Sequence, residues 1–240
     1  MSVNWAGYVA GGNSFSDVRA TWTQPEVRCV DVKGRRVSSS SGFWIGLGGA
    51  SFSSAGLEQT GTAADCAGGT PHYDAWFEIL PAPETPVLLG VHPGDSIFAE
   101  VSVADGVAAF TLKNLTTGAT FTRQAPIRFP AVDSAEWIAE APSACRFDGS
   151  CRTLPLSHFG SILFSGASAT AGAHTGTISD RAWTSDAVRL VARTGDFSAR
   201  PSGLSTDGSS FSVATEGPRV KTPLPDVASR LPVPLLLPAG

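Results

Sequence analysis

The chain has 240 residues, 42% of them hydrophobic and only 16% charged, with Gly 26, Pro 17 and a net charge of −4. This length carries one large domain or at most two, and the composition is that of a globular, turn-rich protein rather than a collagen or a low-complexity chain. Of the 17 basic residues only Lys33, Lys113 and Lys221 are lysines, and with a pI near 5.5 no basic face is expected for nucleic acid or anionic lipid. No apolar run approaches the ~18 residues of a membrane helix.

Taken in chain order, short stretches of period-two apolar alternation predict strands. They are Val18-Ala20-Trp22, Phe43 to Leu47, Tyr73 to Ile79, Ile97-Ala99-Val101-Val103, Ala108 to Leu112, Ser161 to Phe164, Val188 to Ala192 and Phe211 to Ala214. Turn clusters such as His92-Pro-Gly-Asp95 and Asn114-Leu-Thr-Thr-Gly118 separate them. Many short strands without alternating long helices predict an all-β fold, an antiparallel sandwich or barrel. One segment points two ways: Asp133-Ser-Ala-Glu136 has the capping-box form and opens a run of good helix formers, whereas Glu136 to Glu140 also fits a strand. From Glu216 onward prolines crowd (Pro218, Pro223, Pro225, Pro232, Pro234, Pro238), so a single domain over 1–215 and an extended tail over 216–240 are expected.

The four cysteines, Cys29, Cys66, Cys145 and Cys151, show no CxxC pair and no His at zinc-ligand spacing. They predict disulfides and a secreted, extracellular setting. Cys145 and Cys151 flank a turn-like segment and are the easiest bridge, which leaves Cys29 with Cys66. Met1-Ser-Val-Asn-Trp5 lacks the regions of a signal peptide, so export implies another route or a leader already removed.

For chemistry, the most informative strand is Tyr73-Asp-Ala-Trp-Phe-Glu78, where Asp74, Trp76 and Glu78 share one face. Two carboxylates around an indole suit either an outer face under a loop or a polar cleft for a peptide or glycan. Gln59, between an aliphatic residue and an apparent turn in Leu57-Glu-Gln-Thr-Gly61, is ordinarily a surface residue, but in a cleft its amide can serve an oxyanion. Glu140 is the third candidate. His72, His92, His158 and His174 lack metal spacing, Gly-x-Ser-x-Gly is absent, and no Gly-rich stretch continues into a phosphate loop. No cofactor is expected, and carboxylate acid/base chemistry is what remains.

Several motifs in order resemble the glutamic peptidase family, the eqolisins, in its bacterial form. They are Asn4-Trp-Ala-Gly-Tyr8, Phe43-Trp-Ile-Gly-Leu-Gly-Gly49, Leu57-Glu-Gln-Thr-Gly61, Tyr73-Asp-Ala-Trp-Phe-Glu78, Pro93-Gly-Asp95, Asn114-Leu-Thr-Thr-Gly118, Ala135-Glu-Trp-Ile-Ala-Glu140 and Leu156-Ser-His-Phe-Gly160. The resemblance implies a sandwich of two curved antiparallel sheets (concanavalin A-like), and hence a strand at Glu136 to Glu140. It implies a catalytic pair at Gln59 and Glu140 and a substrate cleft with Trp44, Asp74, Trp76 and Glu78. It further implies a monomeric acid endopeptidase, insensitive to pepstatin, whose partner is a polypeptide substrate. Gly48 stands where fungal members carry an Asp, a departure expected to alter the working pH more than the reaction. The competing classes are a lectin-like or glycan-hydrolysing sandwich using Glu78 and Glu140, which gives Gln59 no role, and a non-catalytic peptide-binding relative.

Overall fold

A computed structural model describes residues 1–31, 33–50, 56–128, 132–145, 150–193 and 196–217. Seventeen strands are found among them: β1 Trp5–Gly11, β2 Phe15–Thr23, β3 Gly42–Gly48, β4 Leu57–Ala67, β5 Thr70–Ile79, β6 Thr85–Val87, β7 Ser96–Ala104, β8 Val107–Asn114, β9 Thr120–Pro126, β10 Ser134–Glu140, β11 Ser143–Cys145, β12 Cys151–Thr153, β13 Ser161–Ala171, β14 His174–Thr177, β15 Thr184–Val188, β16 Ser198–Pro201 and β17 Phe211–Glu216. They build a seven-stranded sheet, β15-β1-β10-β3-β4-β5-β6, and a larger sheet, β16-β17-β13-β2-β7-β8-β9, with β14 beside β13 and β11-β12 as a separate hairpin. Neighbouring strands in both large sheets pair antiparallel, and the two sheets form the expected sandwich.

The period-two pattern decides which side chains enter the core. Val18, Ala20 and Trp22 of β2 are buried, as are Phe43, Ile45 and Leu47 of β3 and Ile97, Ala99 and Val101 of β7. Aromatic pairs fill the space between sheets: Phe43 on Phe159 with centroids 5.0 Å apart, Trp22 on Phe164 at 5.7 Å and Tyr8 on Phe211 at 4.8 Å. Two core indoles also tie the layers by their N–H groups, because a buried indole donor left unpaired is costly. Trp22 donates to Thr62 Oγ1 at 3.1 Å, and Trp137 donates to the Arg19 carbonyl at 3.0 Å.

One open reading is settled as the resemblance implied, and two expectations change. The helix-like segment is strand β10, paired on both sides with β1 and β3, so tertiary pairing overrides local propensity. Leu57 to Gly61 is no strand-to-turn junction but the start of the eleven-residue β4. Gly61 lies inside that strand because a Cβ there would meet the Phe43 carbonyl oxygen at 2.2 Å, a close approach that requires glycine. The strand expected at Val188 to Ala192 lies earlier, at Thr184–Val188, while Leu190 makes only isolated bridges to Ser2 and Ala199.

Cys29 is bonded to Cys66 and Cys145 to Cys151. The last strand runs through Glu216, and the prolines from Pro218 onward lie outside the described residues, as does most of the segment between Cys145 and Cys151.

Candidate active site

The alternation that sends Phe43, Ile45 and Leu47 inward turns Gly42, Trp44, Gly46 and Gly48 to the other face of the seven-stranded sheet. Strand register then arranges that face in rows. Trp5, Glu140, Gly42, Ala63 and Asp74 form one row across β1, β10, β3, β4 and β5. The next contains Gly7, Ile138, Trp44, Gly61 and Trp76, and the third Val9, Glu136, Gly46, Gln59 and Glu78. All six expected site residues therefore share one face, including the Asp74, Trp76 and Glu78 triplet of β5.

This face is not simply wet. Trp44, Leu57, Trp76 and Ile138 form a second apolar cluster, separate from the sandwich core, with Trp5, Val9 and Ala63 packed against it. Trp44 is completely enclosed and Trp76 nearly so. Trp44, expected in the substrate cleft, thus offers no free surface. It meets Trp5 edge-on with ring centroids 5.0 Å apart, and its Nε1–H donates to Glu140 Oε2 at 2.8 Å.

Glu140 is gripped from two sides. Asn4 Nδ2 donates to its Oε1 at 2.9 Å while Trp44 holds the other oxygen. Burial nevertheless dominates and pushes the carboxyl up to about 7, against the opposing pull of the Trp44, Asn4 and Trp5 donors; the nearby Glu78 adds to the rise. Gln59, almost fully buried, donates its side-chain N–H to Glu78. Burial also raises Glu78, a shift opposed by that Gln59 contact and reinforced by Glu84. The expected pair, Gln59 and Glu140, is not mutually hydrogen-bonded; the two stand in rows separated by the Trp44 row, facing the same space. Asp74 lies exposed at the margin. Gly48, with φ 85°, ends β3 one row beyond Gln59, opposite Leu57.

Asn4 and Glu136 also belong to the site and were missed as site residues. Glu136 stands on the same face as Glu140 at even strand spacing, a signal visible once the segment is taken as a strand. Asn4 sits inside the Asn-Trp-Ala-Gly-Tyr motif, but its contact spans 136 residues of sequence, beyond any local pattern. Among the described residues no cluster of three or more His, Cys, Asp or Glu could hold a metal ion. A cavity of about 350 Å³ lined by Glu26, Val27, Arg28, His158, Phe159 and Gly160 contains none of these residues.

Residues 3–195 match the model of the Peptidase A4 family. The chain is 30% identical over 193 residues to Aspergillopepsin-2 of Aspergillus niger, a match that covers 72% of this chain and 66% of that protein, so it spans just under two thirds of that curated relative. Among solved structures, scytalido-glutamic peptidase with a peptide-based transition state analog superposes with a TM-score of 0.72 at 24% identity, covering 89% of this chain and 98% of that one. Aspergilloglutamic peptidase from Aspergillus niger gives a TM-score of 0.61 at 26% identity, covering 73% and 98% respectively.

Proposed function

The chain belongs to the Peptidase A4 family, and from that premise we propose that it is a secreted endopeptidase that cleaves polypeptides with Glu140 and Gln59 acting on a directly attacking water. The observation that carries this reading is a carboxyl and a carboxamide on one enclosed sheet face, each steered by its own partners: Glu140 by Asn4 and Trp44, Gln59 by Glu78. A scissile carbonyl lying over the middle row would have Glu140 on one side and Gln59 on the other. Glu140 as carboxylate takes a proton from the water as it attacks, and Gln59 donates N–H to the developing oxyanion. Protonated Glu140 then passes its proton to the departing amine. No acyl-enzyme forms. Two disulfides support the secreted setting. The engagement of Glu78 by Gln59 speaks against a glycosidase pair of Glu78 and Glu140.

A base held up to about 7 is ionised only toward neutrality, so the ascending limb of kcat/KM belongs near that pH rather than in strong acid. This moves the working range to the neutral side of the acid optimum implied by the resemblance. The test is cleavage of a denatured protein in the presence of pepstatin across acid to neutral pH, with Glu140→Gln and Gln59→Ala beside the wild type. Loss of about 10²–10⁴-fold in turnover is expected for the first and about 10²–10³-fold for the second, with unchanged melting. Near-wild-type activity in either folded variant would sink the assignment.

A further inference from the structure

Glu136 has no part in the scheme above, yet no other carboxyl on the face is so enclosed: its exposure is 0%, and apart from the Ser134 hydroxyl beside it on β10 neither carboxyl oxygen has a hydrogen-bond partner. Gln59 Oε1 is likewise buried without a partner. The two residues stand in the same register row, with only Gly46 between them. Neighbouring strands lie ~4.8 Å apart, so the two backbones are roughly 10 Å apart, a gap that two side chains of this length narrow to about the span of one water. Gly46 puts no side chain of its own between them, and the room above it is tight, since a Cβ there would stand 3.1 Å from Gln59 Cβ and 3.0 Å from Leu57 Cδ1.

The geometry points to Glu136 as a positioning residue for the oxyanion donor: it acts on Gln59 Oε1 across Gly46 through one enclosed water, which accepts the carboxyl O–H and donates to the amide oxygen. The inference rests on the role given to Gln59 above. Gln59 is then held at both ends of its amide within one row, its N–H side by the acceptor Glu78 and its carbonyl oxygen by the donor Glu136 through that water. An amide turned the other way would set oxygen against oxygen at Glu78. With Glu136 in place, the second amide hydrogen is left for the cleft. The donor must be neutral, and burial holds Glu136 well above the usual carboxylate range. The charged groups that act on it are Asp133 and Glu58, both acidic, while Val9 and Gly46, its neighbours on β1 and β3, bring no cation. Ser134, on the same face of β10, only partly opposes the shift.

Infrared difference spectra of the full chain at mildly acidic pH test the contact without reference to activity. A protonated-carboxyl band that disappears in Glu136→Gln and changes frequency in Gln59→Ala is expected. No band lost in Glu136→Gln, or an assigned band that Gln59→Ala leaves in place, overturns the proposal. In steady-state kinetics, Glu136→Leu should lower kcat about 10–100-fold with KM within about twofold, and Glu136→Gln, which keeps an N–H donor, should recover most of that loss. Equal impairment in both variants overturns it too. If wild-type protein cleaves no peptide, the peptidase reading fails while the infrared result still decides whether Glu136 and Gln59 are joined.

Discussion

Replacing Trp44 by Phe removes a single donor from the group on which the proposed chemistry depends. The Trp44 Nε1–H reaches Glu140 Oε2 at 2.8 Å, a bond to the carboxylate worth about 1.5–3 kcal/mol and to the neutral acid about half of that. The difference, about 1–1.5 kcal/mol, corresponds to about one pKa unit at 1.36 kcal/mol per unit. A donor favours the charged form, so its loss raises the carboxyl further, from about 7 to about one unit higher. The ascending limb of kcat/KM should shift upward by that amount, and activity on the acid side should fall about tenfold while the plateau holds. Phe retains a ring against Trp5, and a melting curve reports what the smaller side chain costs in packing. Profiles of kcat/KM on a fluorogenic peptide give the limb directly, with Asn4→Ala as a second perturbation of the same carboxyl. A limb that stays put in both variants, or moves to lower pH, would show that Glu140 ionisation does not govern the rate.

Glu58 gives a stability counterpart. It faces the core between Leu47 and Ile79, is 1% exposed, and burial raises it to about 7. A carboxyl whose folded value exceeds its unfolded one holds its proton more tightly in the native state, so its contribution is fully present below the unfolded value and is lost as pH rises toward about 7. Urea denaturation should show stability falling from about pH 5 to about pH 8, and Glu58→Gln should remove about 3 kcal/mol of that fall; an unchanged slope refutes the account. Mutating both Cys29 and Cys66 to Ser opens a bridge across 37 residues and should cost about 4 kcal/mol by loop entropy, readable as a lower denaturation midpoint. A midpoint that does not fall would show that the bridge contributes no stability.

How far the site can be read from the chain depends on the range of the interactions involved. The β5 triplet is legible because period two is a local property, and Asp74, Trp76 and Glu78 do share a face. β10 is ambiguous locally because Ser134 to Glu140 satisfies both a capping pattern and a strand, and only pairing with β1 and β3 decides. Gly61 resembles a turn signal, yet the reason for it is the backbone of a neighbouring strand. Glu136 and Gln59 are 77 positions apart, and their juxtaposition exists only through register with Gly46. Leu190 and Ala192 continue the alternation of β15 past its end, where the ladder with β1 stops at Gly7 and Val188 and Leu190 bridges Ser2 and Ala199 instead.

The glycines of β3 and β4 also bear on how this cleft can change over evolutionary time. Gly42, Gly46 and Gly61 lie buried beneath Trp44, Trp76 and Leu57 on this face, and at Gly61 an added methyl would stand 2.2 Å from a carbonyl oxygen. Single substitutions therefore cannot raise the floor at that point without displacing a strand. New peptide preferences have to arise at the margins, where His72, Asp74 and Glu84 are exposed and little packing constrains them. Relatives that cleave different sequences should accordingly differ along this rim and keep the same hollow beneath it.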